Sequence, residues 1–219
     1  YANCGLPYFV SDVISNRDDL LLQTPTSLWN RFRIEVRVNS KVTKIDRVSK
    51  TVSVEDMVTG EISESSYDYL VISTGAKPRR LEIPGIERAL TLRNVTDADQ
   101  IKARFAETEN ASAVILGAGF IGIELAENLS HLGISTTIVQ RGSTILSQFD
   151  PEMIEPLQAR LVENGIRLEL NSEPIEISAT EVLLADALPT AQFGAFRHGA
   201  GRHEGRCGAS QCRAERAKR

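Results

Sequence analysis

Apolar and polar residues alternate in the first third of the chain, in a pattern typical of β-strands. Between positions 34 and 54, apolar side chains recur in three short runs, mostly at every second residue, with turn residues such as Ser49 and Lys50 between them. This spacing predicts a small antiparallel β-meander. The apolar run from Tyr67 to Ser73 predicts a buried strand, and Thr74-Gly75 directly after it predicts a turn with close backbone packing.

Apolar residues spaced by three and four predict helices in three further segments. The first helix begins after Thr24, the second extends over residues 96–105, and the third extends over residues 150–165. Thr24, followed by a proline, is the expected N-cap of the first helix, and Thr96 with Asp99 has the spacing of a capping box at the second.

The stretch that organises the middle of the chain is AVILGAGFIGIE, residues 113–124. An apolar strand stops at Gly117, the glycines Gly117, Gly119 and Gly122 form G-x-G-x-x-G, an amphipathic helix follows, and a second strand is predicted at 136–139. In a dinucleotide site these glycines permit the turn, the approach of a pyrophosphate and close helix–strand packing, and the helix N-terminus attracts the phosphates. The alternative is a glycine-rich strand–helix turn that binds no ligand.

The residue at the end of the second strand bears on the choice of cofactor. An Asp or Glu at this position binds the adenine ribose of NAD, whereas this sequence has Gln140 followed by Arg141. A guanidinium can pair with a 2′-phosphate, so the pattern favours NADPH over NADH, or the use of both. The alternative is that Arg141 is an ordinary solvated loop charge.

Composition narrows the class of protein. The chain has 219 residues, 42% hydrophobic residues, 25% charged residues and a net charge of −4, which are values of a globular protein with one or two domains. The charge gives no reason to expect a nucleic-acid partner, and no apolar run is long enough for a membrane span. Three cysteines form no disulfide framework, which indicates a cytoplasmic location.

The N-terminal stretch YANCGLPYF places Cys4 beside Gly5, where a turn and a helix start are predicted. Cys4 is either a reactive thiol or a small buried hydrophobic residue, and the residues alone leave both interpretations open. Because the chain begins at Tyr1 and not at Met, with this chemistry already at its fourth residue, we expect it to be a fragment of a longer protein.

Alternating residues at 166–170, 175–177 and 182–184 predict strands that extend the sheet and add a crossover ribbon. The segment 187–219 is rich in Arg, Gly, Ala and His and follows neither period, which predicts a disordered or out-of-frame tail. A zinc site there is disfavoured, because the spacing of its four possible ligands does not match common zinc motifs. Those four residues are His198, His203, Cys207 and Cys212.

The motifs YANCGLPYF, TGAKP and GAGFIGIE, in this order, resemble the single-cysteine flavoprotein disulfide reductases, the family of coenzyme A-disulfide reductase, NADH oxidase and persulfide reductase. The resemblance implies an α/β fold in which a Rossmann-like NAD(P)-binding domain joins an incomplete FAD-binding domain with a small antiparallel meander. It assigns residues 1–110 to the partial FAD domain, 111–186 to the incomplete NAD(P) domain and 187–219 to the irregular tail.

The resemblance also implies roles for individual residues. Cys4 is the redox nucleophile beside the flavin, and Asn3 lines the same pocket. The backbone near Val42 meets the FAD adenine, and Thr74 and Gly75 lie against the FAD. Gly117, Gly119 and Gly122 hold the nicotinamide dinucleotide, and Ile121 and Glu124 lie near its nicotinamide end. Gln140 and Arg141, at the end of the second predicted strand, complete the expected cofactor-binding residues.

The activity implied is transfer of electrons from NADPH or NADH through FAD to Cys4, and from Cys4 to coenzyme A disulfide or a persulfide. The full-length parent is expected to be a homodimer without nucleic-acid or membrane partners. Two alternatives stay open. One is an NADH oxidase or peroxidase in which Cys4 cycles through a sulfenic acid, and the other is an inactive dinucleotide-binding fragment.

Overall fold

A computed structural model describes residues 1–108, 111–186 and 194–197. The chain divides into two compact units. The meander unit comprises Tyr1 and Leu21–Lys77, and the parallel-sheet unit comprises Ala2–Leu20 with the chain from Pro78 onward. The division into FAD-binding and NAD(P)-binding domains expected from the sequence stays a prediction, because these domains are defined by the ligands they bind and the two units by contacts within the chain.

Five α-helices and nine β-strands are described, together with three 3₁₀ turns at Asn3–Gly5, Arg17–Leu20 and Ile86–Arg88. The helices are α1 (Leu6–Val10), α2 (Pro25–Phe32), α3 (Val95–Ala106), α4 (Phe120–His131) and α5 (Pro151–Glu163). The strands are β1 (Ser40–Asp46), β2 (Thr51–Asp56), β3 (Ile62–Ser66), β4 (Ser112–Leu116), β5 (Ser135–Gln140), β6 (Arg167–Leu170), β7 (Ser172–Ile177), β8 (Glu181–Asp186) and β9 (Gly194–Arg197). This mixed α/β architecture confirms the predicted fold class.

The meander unit contains the predicted antiparallel sheet, in the order β1-β2-β3. Its strands begin later than predicted, because residues 34–38 form no strand and their apolar side chains are exposed. Helix α2 begins at Pro25 as expected, and the Thr24 hydroxyl accepts the Ser27 N–H at 3.1 Å. No residue in Leu21–Lys77 is buried, so this unit has no core of its own.

The buried strand predicted from Tyr67 to Ser73 is wrong. These residues lie outside any helix or strand, and Tyr69 and Val71 are 94% and 86% exposed. An apolar run of this kind becomes a strand only where neighbouring strands accept its backbone hydrogen bonds and cover both of its faces. Within the described residues, no strand pairs with this run.

The parallel-sheet unit has β4, β5 and β6 side by side and parallel, in that order. Alternate residues of these strands point to opposite faces, as the two-residue period of a strand requires. One face, including Ile115 and Ile138, packs against helices, and the other, including Val114 and Val139, packs against Val182 and Leu184 of β8. Strands β7 and β8 of the ribbon β7-β8-β9 therefore cover the face that the helices leave open.

Helix α3 is capped differently from the expectation. The side chain of Asn94 accepts the Asp97 N–H at 2.9 Å, so Asn94 is the N-cap and Thr96 lies inside the first turn. The capping box predicted between Thr96 and Asp99 is therefore wrong. Asn94 has the extended backbone that an N-cap requires, and its amide oxygen reaches the third residue of the helix, which is the geometry that defines the cap.

Among the described residues, no helix is long and apolar enough to cross a lipid bilayer. The same residues contain no cluster of three His, Cys, Asp or Glu side chains that could hold a metal ion. The possible zinc ligands His198, His203, Cys207 and Cys212 lie outside the described residues.

Gly85 illustrates how tightly the segment before α3 packs against the ribbon. Its φ is +80°, and a Cβ atom there would lie 1.7 Å from the carbonyl oxygen of Ile177. Gly165 has nearly the same φ, +79°, but a Cβ there would meet no atom within 4 Å. We expect Gly165→Ala to lower the free energy of unfolding by about 1 kcal/mol, the cost of a left-handed backbone. Gly85→Ala should lower it by more than about 3 kcal/mol, because backbone must also move.

Urea unfolding of both variants measures this difference, since the slope reports whether the unfolding transition is unchanged. Equal losses in the two variants would show that backbone conformation alone accounts for Gly85 and that the contact with Ile177 costs nothing.

The turns of the meander predict a pH dependence. Backbone N–H groups of Ser49 and Val48 donate to the Asp46 carboxylate and lower the pKa of Asp46. The N–H groups of Thr59 and Val58 lower the pKa of Asp56 in the same way. Because the pKa of each carboxyl is lowered in the folded state, its ionised form stabilises the turn at pH values above the ordinary Asp pKa. This stabilisation is lost as the pH falls through the lowered pKa.

We therefore expect the amide resonances of these turns to titrate with midpoints below the ordinary Asp pKa. Asp46→Asn with Asp56→Asn is the matched control, because an amide oxygen accepts the same hydrogen bonds but does not titrate. Midpoints at or above the ordinary value in the unchanged chain would contradict the stated cause.

Candidate functional site

Cys4 lies in the 3₁₀ turn Asn3–Gly5, directly before α1, and is exposed. The turn is anchored beneath it, because the Ala2 N–H donates to the Leu20 carbonyl at 2.8 Å and Gly5 is buried against Leu20. A Cβ atom on Gly5 would lie 2.8 Å from Leu20 Cδ2. The glycine beside the cysteine therefore allows the turn to sit close to the core while the thiol faces outward.

Asn3 is held by a residue that the sequence analysis did not single out. Arg93 Nη1 donates to Asn3 Oδ1 at 3.3 Å, and the Arg93 backbone N–H donates to Asp97 Oδ2 at 2.7 Å. Asp97 also accepts the Thr91 hydroxyl at 3.1 Å. The start of α3 thereby places a guanidinium beside the residue that precedes Cys4. No local motif could reveal this contact, because 90 residues separate the two side chains.

The cysteine turn and the glycine-rich turn are joined through helix packing within one unit. Helix α1 packs on α3 and α4 around a buried cluster. A buried polar contact adds to it, since the Ser11 hydroxyl donates to Asn128 Oδ1 at 2.6 Å and Asn128 Nδ2 donates to the Glu124 carbonyl at 2.8 Å. The buried members of the cluster are Leu6, Phe9, Val10, Leu20, Val95, Ala98, Ile101 and Leu129.

Two of the three glycines are required by the backbone itself. Gly117 has φ +108°, in the left-handed region, and its N–H donates to the Val139 carbonyl at 2.8 Å. At Gly122, a Cβ would lie 2.2 Å from the Gly117 carbonyl oxygen and 3.3 Å from Ile115 Cγ2. Any larger side chain at Gly122 would therefore push α4 away from the turn and from β4.

Gly119 differs from them, because neither its conformation nor its surroundings require glycine. Its φ is −83°, and a Cβ atom would meet nothing within 4 Å. It is the N-cap residue of α4, and no side chain among the described residues caps this helix. The turn therefore leaves open space in front of the first N–H groups of α4, where the helix dipole is positive.

The glycine-rich turn is braced from both sides at Ala118, which is buried. Its N–H donates to Gln140 Oε1 at 3.2 Å, and its carbonyl accepts the Leu146 N–H at 3.0 Å. Gln140 therefore bends its side chain back onto the turn. The role expected for Gln140 in cofactor binding stays a prediction. The structure shows a further role for this side chain, which is to hold the glycine-rich turn in place through Ala118.

Arg141, at the end of β5, pairs with a carboxylate that the sequence analysis did not identify. Arg141 Nε lies 3.4 Å from Glu173 Oε1, and the two side chains are 80% and 51% exposed. Glu173 belongs to β7, which follows β6 by a one-residue turn, so the spacing expected for an acid after the glycines could not indicate it.

The remaining residues expected near the nicotinamide are on the first turns of α4. Ile121 is 57% exposed, and Glu124 is half-buried. Phe120 is also exposed, and its ring contacts the Phe149 ring edge to face at 5.9 Å between centroids. The start of α4 therefore presents an apolar and aromatic surface beside the open space at Gly119.

The three residues expected against the FAD lie in the meander unit. Val42 pairs with Val54 next to a β-bulge in β1, and its side chain is 53% exposed. Thr74 and Gly75 lie outside any helix or strand and are exposed, with Gly75 at φ +70°. The contacts of these three residues with a flavin stay a prediction.

This chain is similar to proteins of known sequence and structure. The chain is 30% identical over 203 residues to the coenzyme A disulfide reductase of Staphylococcus epidermidis, covering 93% of this chain and 46% of that protein. It therefore spans about half the length of the curated relatives that it matches.

Two solved structures have the same fold. Reduced CoADR-RHD of Bacillus anthracis superposes with a TM-score of 0.83 and 35% identity, covering 91% of this chain and 36% of that one. An NAD-dependent persulfide reductase from A. fulgidus superposes with a TM-score of 0.79 and 29% identity, covering 90% and 36%.

Residues 1–192 match the family described as pyridine nucleotide-disulphide oxidoreductase, which is most of the chain. The match includes both the cysteine turn and the glycine-rich turn, the two motifs in which the sequence predicts a reactive thiol and a dinucleotide site. The chain therefore belongs to the pyridine nucleotide-disulphide oxidoreductase family.

Proposed function

We propose that this chain is part of a flavin-dependent oxidoreductase that moves electrons from a nicotinamide dinucleotide to Cys4, and from Cys4 to coenzyme A disulfide or a persulfide. The observation that carries the proposal is that an exposed cysteine turn and an open, uncapped glycine-rich turn belong to one packed unit. The names of the relatives, coenzyme A disulfide reductase and persulfide reductase, support this substrate class.

The glycine-rich turn fits a nicotinamide dinucleotide. The open space at Gly119 admits a pyrophosphate, and the uncapped N–H groups of α4 are donors for its oxygens. Ile121 and Glu124, one and two turns into the same helix, would border the nicotinamide. Arg141 follows the end of β5, where it would meet the adenosine ribose and favour NADPH, and Glu173 pairs with it.

The meander unit would hold FAD through the accessible backbone near Val42 and at Thr74 and Gly75. A bound flavin would accept a hydride from the nicotinamide and deliver electrons to sulfur. We assign residues 1–110 to this flavin-binding part and 111–186 to the NAD(P)-binding part. We also expect the longer protein to form a homodimer.

Cys4 acts as a nucleophile in this proposal. Its thiolate attacks one sulfur of the disulfide of coenzyme A, forms a mixed disulfide with one coenzyme A and releases the other as a thiolate. The exposed position of Cys4 permits this attack, and Asn3, held by Arg93, lies beside the site of attack.

A second candidate function is dinucleotide binding without turnover. It is favoured by the exposure of residues 68–73, the apolar run that leads to Thr74 and Gly75 and pairs with no strand of the described chain. Absorbance of the purified chain near 450 nm distinguishes the two, because only a chain with bound flavin absorbs there (about 450 nm is the ordinary flavin band).

Gly119→Ala tests the dinucleotide site. The added methyl group meets no protein atom, so the unfolding free energy should change by less than about 1 kcal/mol. The affinity for NADH and NADPH should fall by about tenfold or more, because the methyl occupies the space that a pyrophosphate would enter. Titration of the full chain, followed by nicotinamide fluorescence, measures the affinity.

Gly122→Ala is the contrasting variant, since its methyl group collides with the Gly117 carbonyl and should lower both stability and binding. Unchanged affinity in a folded Gly119→Ala chain would contradict the dinucleotide site at this turn.

Cys4→Ser tests the nucleophile. Incubation of the full chain with coenzyme A disulfide should add one coenzyme A through a disulfide at Cys4, detected by intact mass and peptide mapping. We expect Cys4, the proposed nucleophile, to react about tenfold faster than the two other cysteines. The Cys4→Ser chain should lose the fast reaction, whereas a chain with Cys207→Ser and Cys212→Ser should keep it. Equal rates at all three cysteines would contradict a special role for Cys4.

A further inference from the structure

Two loops meet at the carboxyl end of β5. The first follows Gln140, and the second is the one-residue turn at Asn171 between β6 and β7. The Asn171 N–H donates to the Gly142 carbonyl at 3.0 Å, and Asn171 has a left-handed backbone with φ +53°. This hydrogen bond fixes the two loops to each other, so the residues that flank it face a common space.

The side chains on this edge are not equivalent. Gln140 bends back, and its side-chain oxygen accepts a hydrogen bond from the Ala118 N–H, which holds it on the glycine-rich turn. Arg141 and Glu173 project outward instead, 80% and 51% exposed, with their charged groups 3.4 Å apart. A ligand that lies along the glycine-rich turn and extends past β5 would therefore meet a cation and an anion side by side.

We propose that Glu173 determines how this site discriminates between NADH and NADPH. The inference rests on the proposed function, because it assumes a dinucleotide on the glycine-rich turn with its adenosine ribose at the end of β5. Glu173 supplies the carboxylate that the end of β5 itself lacks, from a different strand.

The chemistry of the two cofactors explains why one carboxylate would matter. The 2′-hydroxyl of NADH can donate a hydrogen bond to Glu173, whereas the 2′-phosphate of NADPH is repelled by it. The 2′-phosphate also needs the Arg141 guanidinium, for which Glu173 competes. Glu173 therefore shifts the preference toward NADH, against the preference for NADPH that Arg141 would give alone.

Glu173→Gln in the full chain tests this inference. The substitution keeps the size of the side chain and removes its charge. We expect NADPH to bind about fivefold more tightly, since repulsion is removed and Arg141 is released, whereas NADH affinity should stay equal or weaken by about threefold. Fluorescence of the reduced nicotinamide, titrated at low and high salt, measures both affinities, and the effect on NADPH should shrink at high salt.

Glu176→Gln is the matched control. Glu176 is also exposed on β7, and it forms no ion pair with the residues that the structure describes. Its removal changes the net charge of the chain by the same amount, so a general electrostatic effect would appear in both variants.

The outcomes separate the two proposals. If NADH and NADPH bind to the unchanged chain but Glu173→Gln alters neither affinity, or alters both equally, the role of Glu173 is overturned and the dinucleotide site stands. If neither dinucleotide binds to the unchanged chain, the proposed function is overturned and the inference is overturned with it. A change in the NADPH to NADH ratio confined to Glu173→Gln supports the inference.

Discussion

The packing of α1 on α3 and α4 is the contact on which the rest of this structure depends. The first twenty residues carry the cysteine, and they would be a free tail without the apolar cluster that Leu6, Phe9 and Val10 form with the two later helices. Burial of each such side chain stabilises the fold by about 1.5–3 kcal/mol. The same helix α4 begins at the glycine-rich turn, so one packing contact ties the cysteine turn and the glycine-rich turn to a common body.

The two compact units differ in how they are stabilised. The parallel-sheet unit buries apolar residues on both faces of β4-β5-β6, through helices on one side and the ribbon on the other. The meander unit has three strands and no buried residue. A sheet of this size is held by its ladder hydrogen bonds and turns, and it is only marginally stable by itself. The aspartates that accept backbone hydrogen bonds in its two hairpin turns therefore contribute more to the stability of this unit than comparable surface groups contribute to the other unit.

Two charged side chains near the candidate site, Arg93 and Arg141, are each held by a residue from a distant part of the chain. Arg93 contacts Asn3 near the thiol, and Glu173 contacts Arg141 near the end of β5. Both pairs are exposed or partly exposed, so each contributes little to stability. Under the proposed function, their effect would be on the position and specificity of the ligand, because each pair sets which charge an anionic cofactor or substrate would meet.

The sequence by itself determined most of the strands and helices and the glycine-rich turn, because hydrophobic period and glycine spacing act over a few residues. Gly117 and Gly122 could be assigned for this reason. Only the tertiary structure decided that Cys4 and residues 68–73 are exposed, that Gln140 contacts Ala118, and that Arg93 and Glu173 lie beside Asn3 and Arg141. Those outcomes depend on which distant segments supply a neighbouring strand or an opposite charge, and local patterns carry no information about such partners.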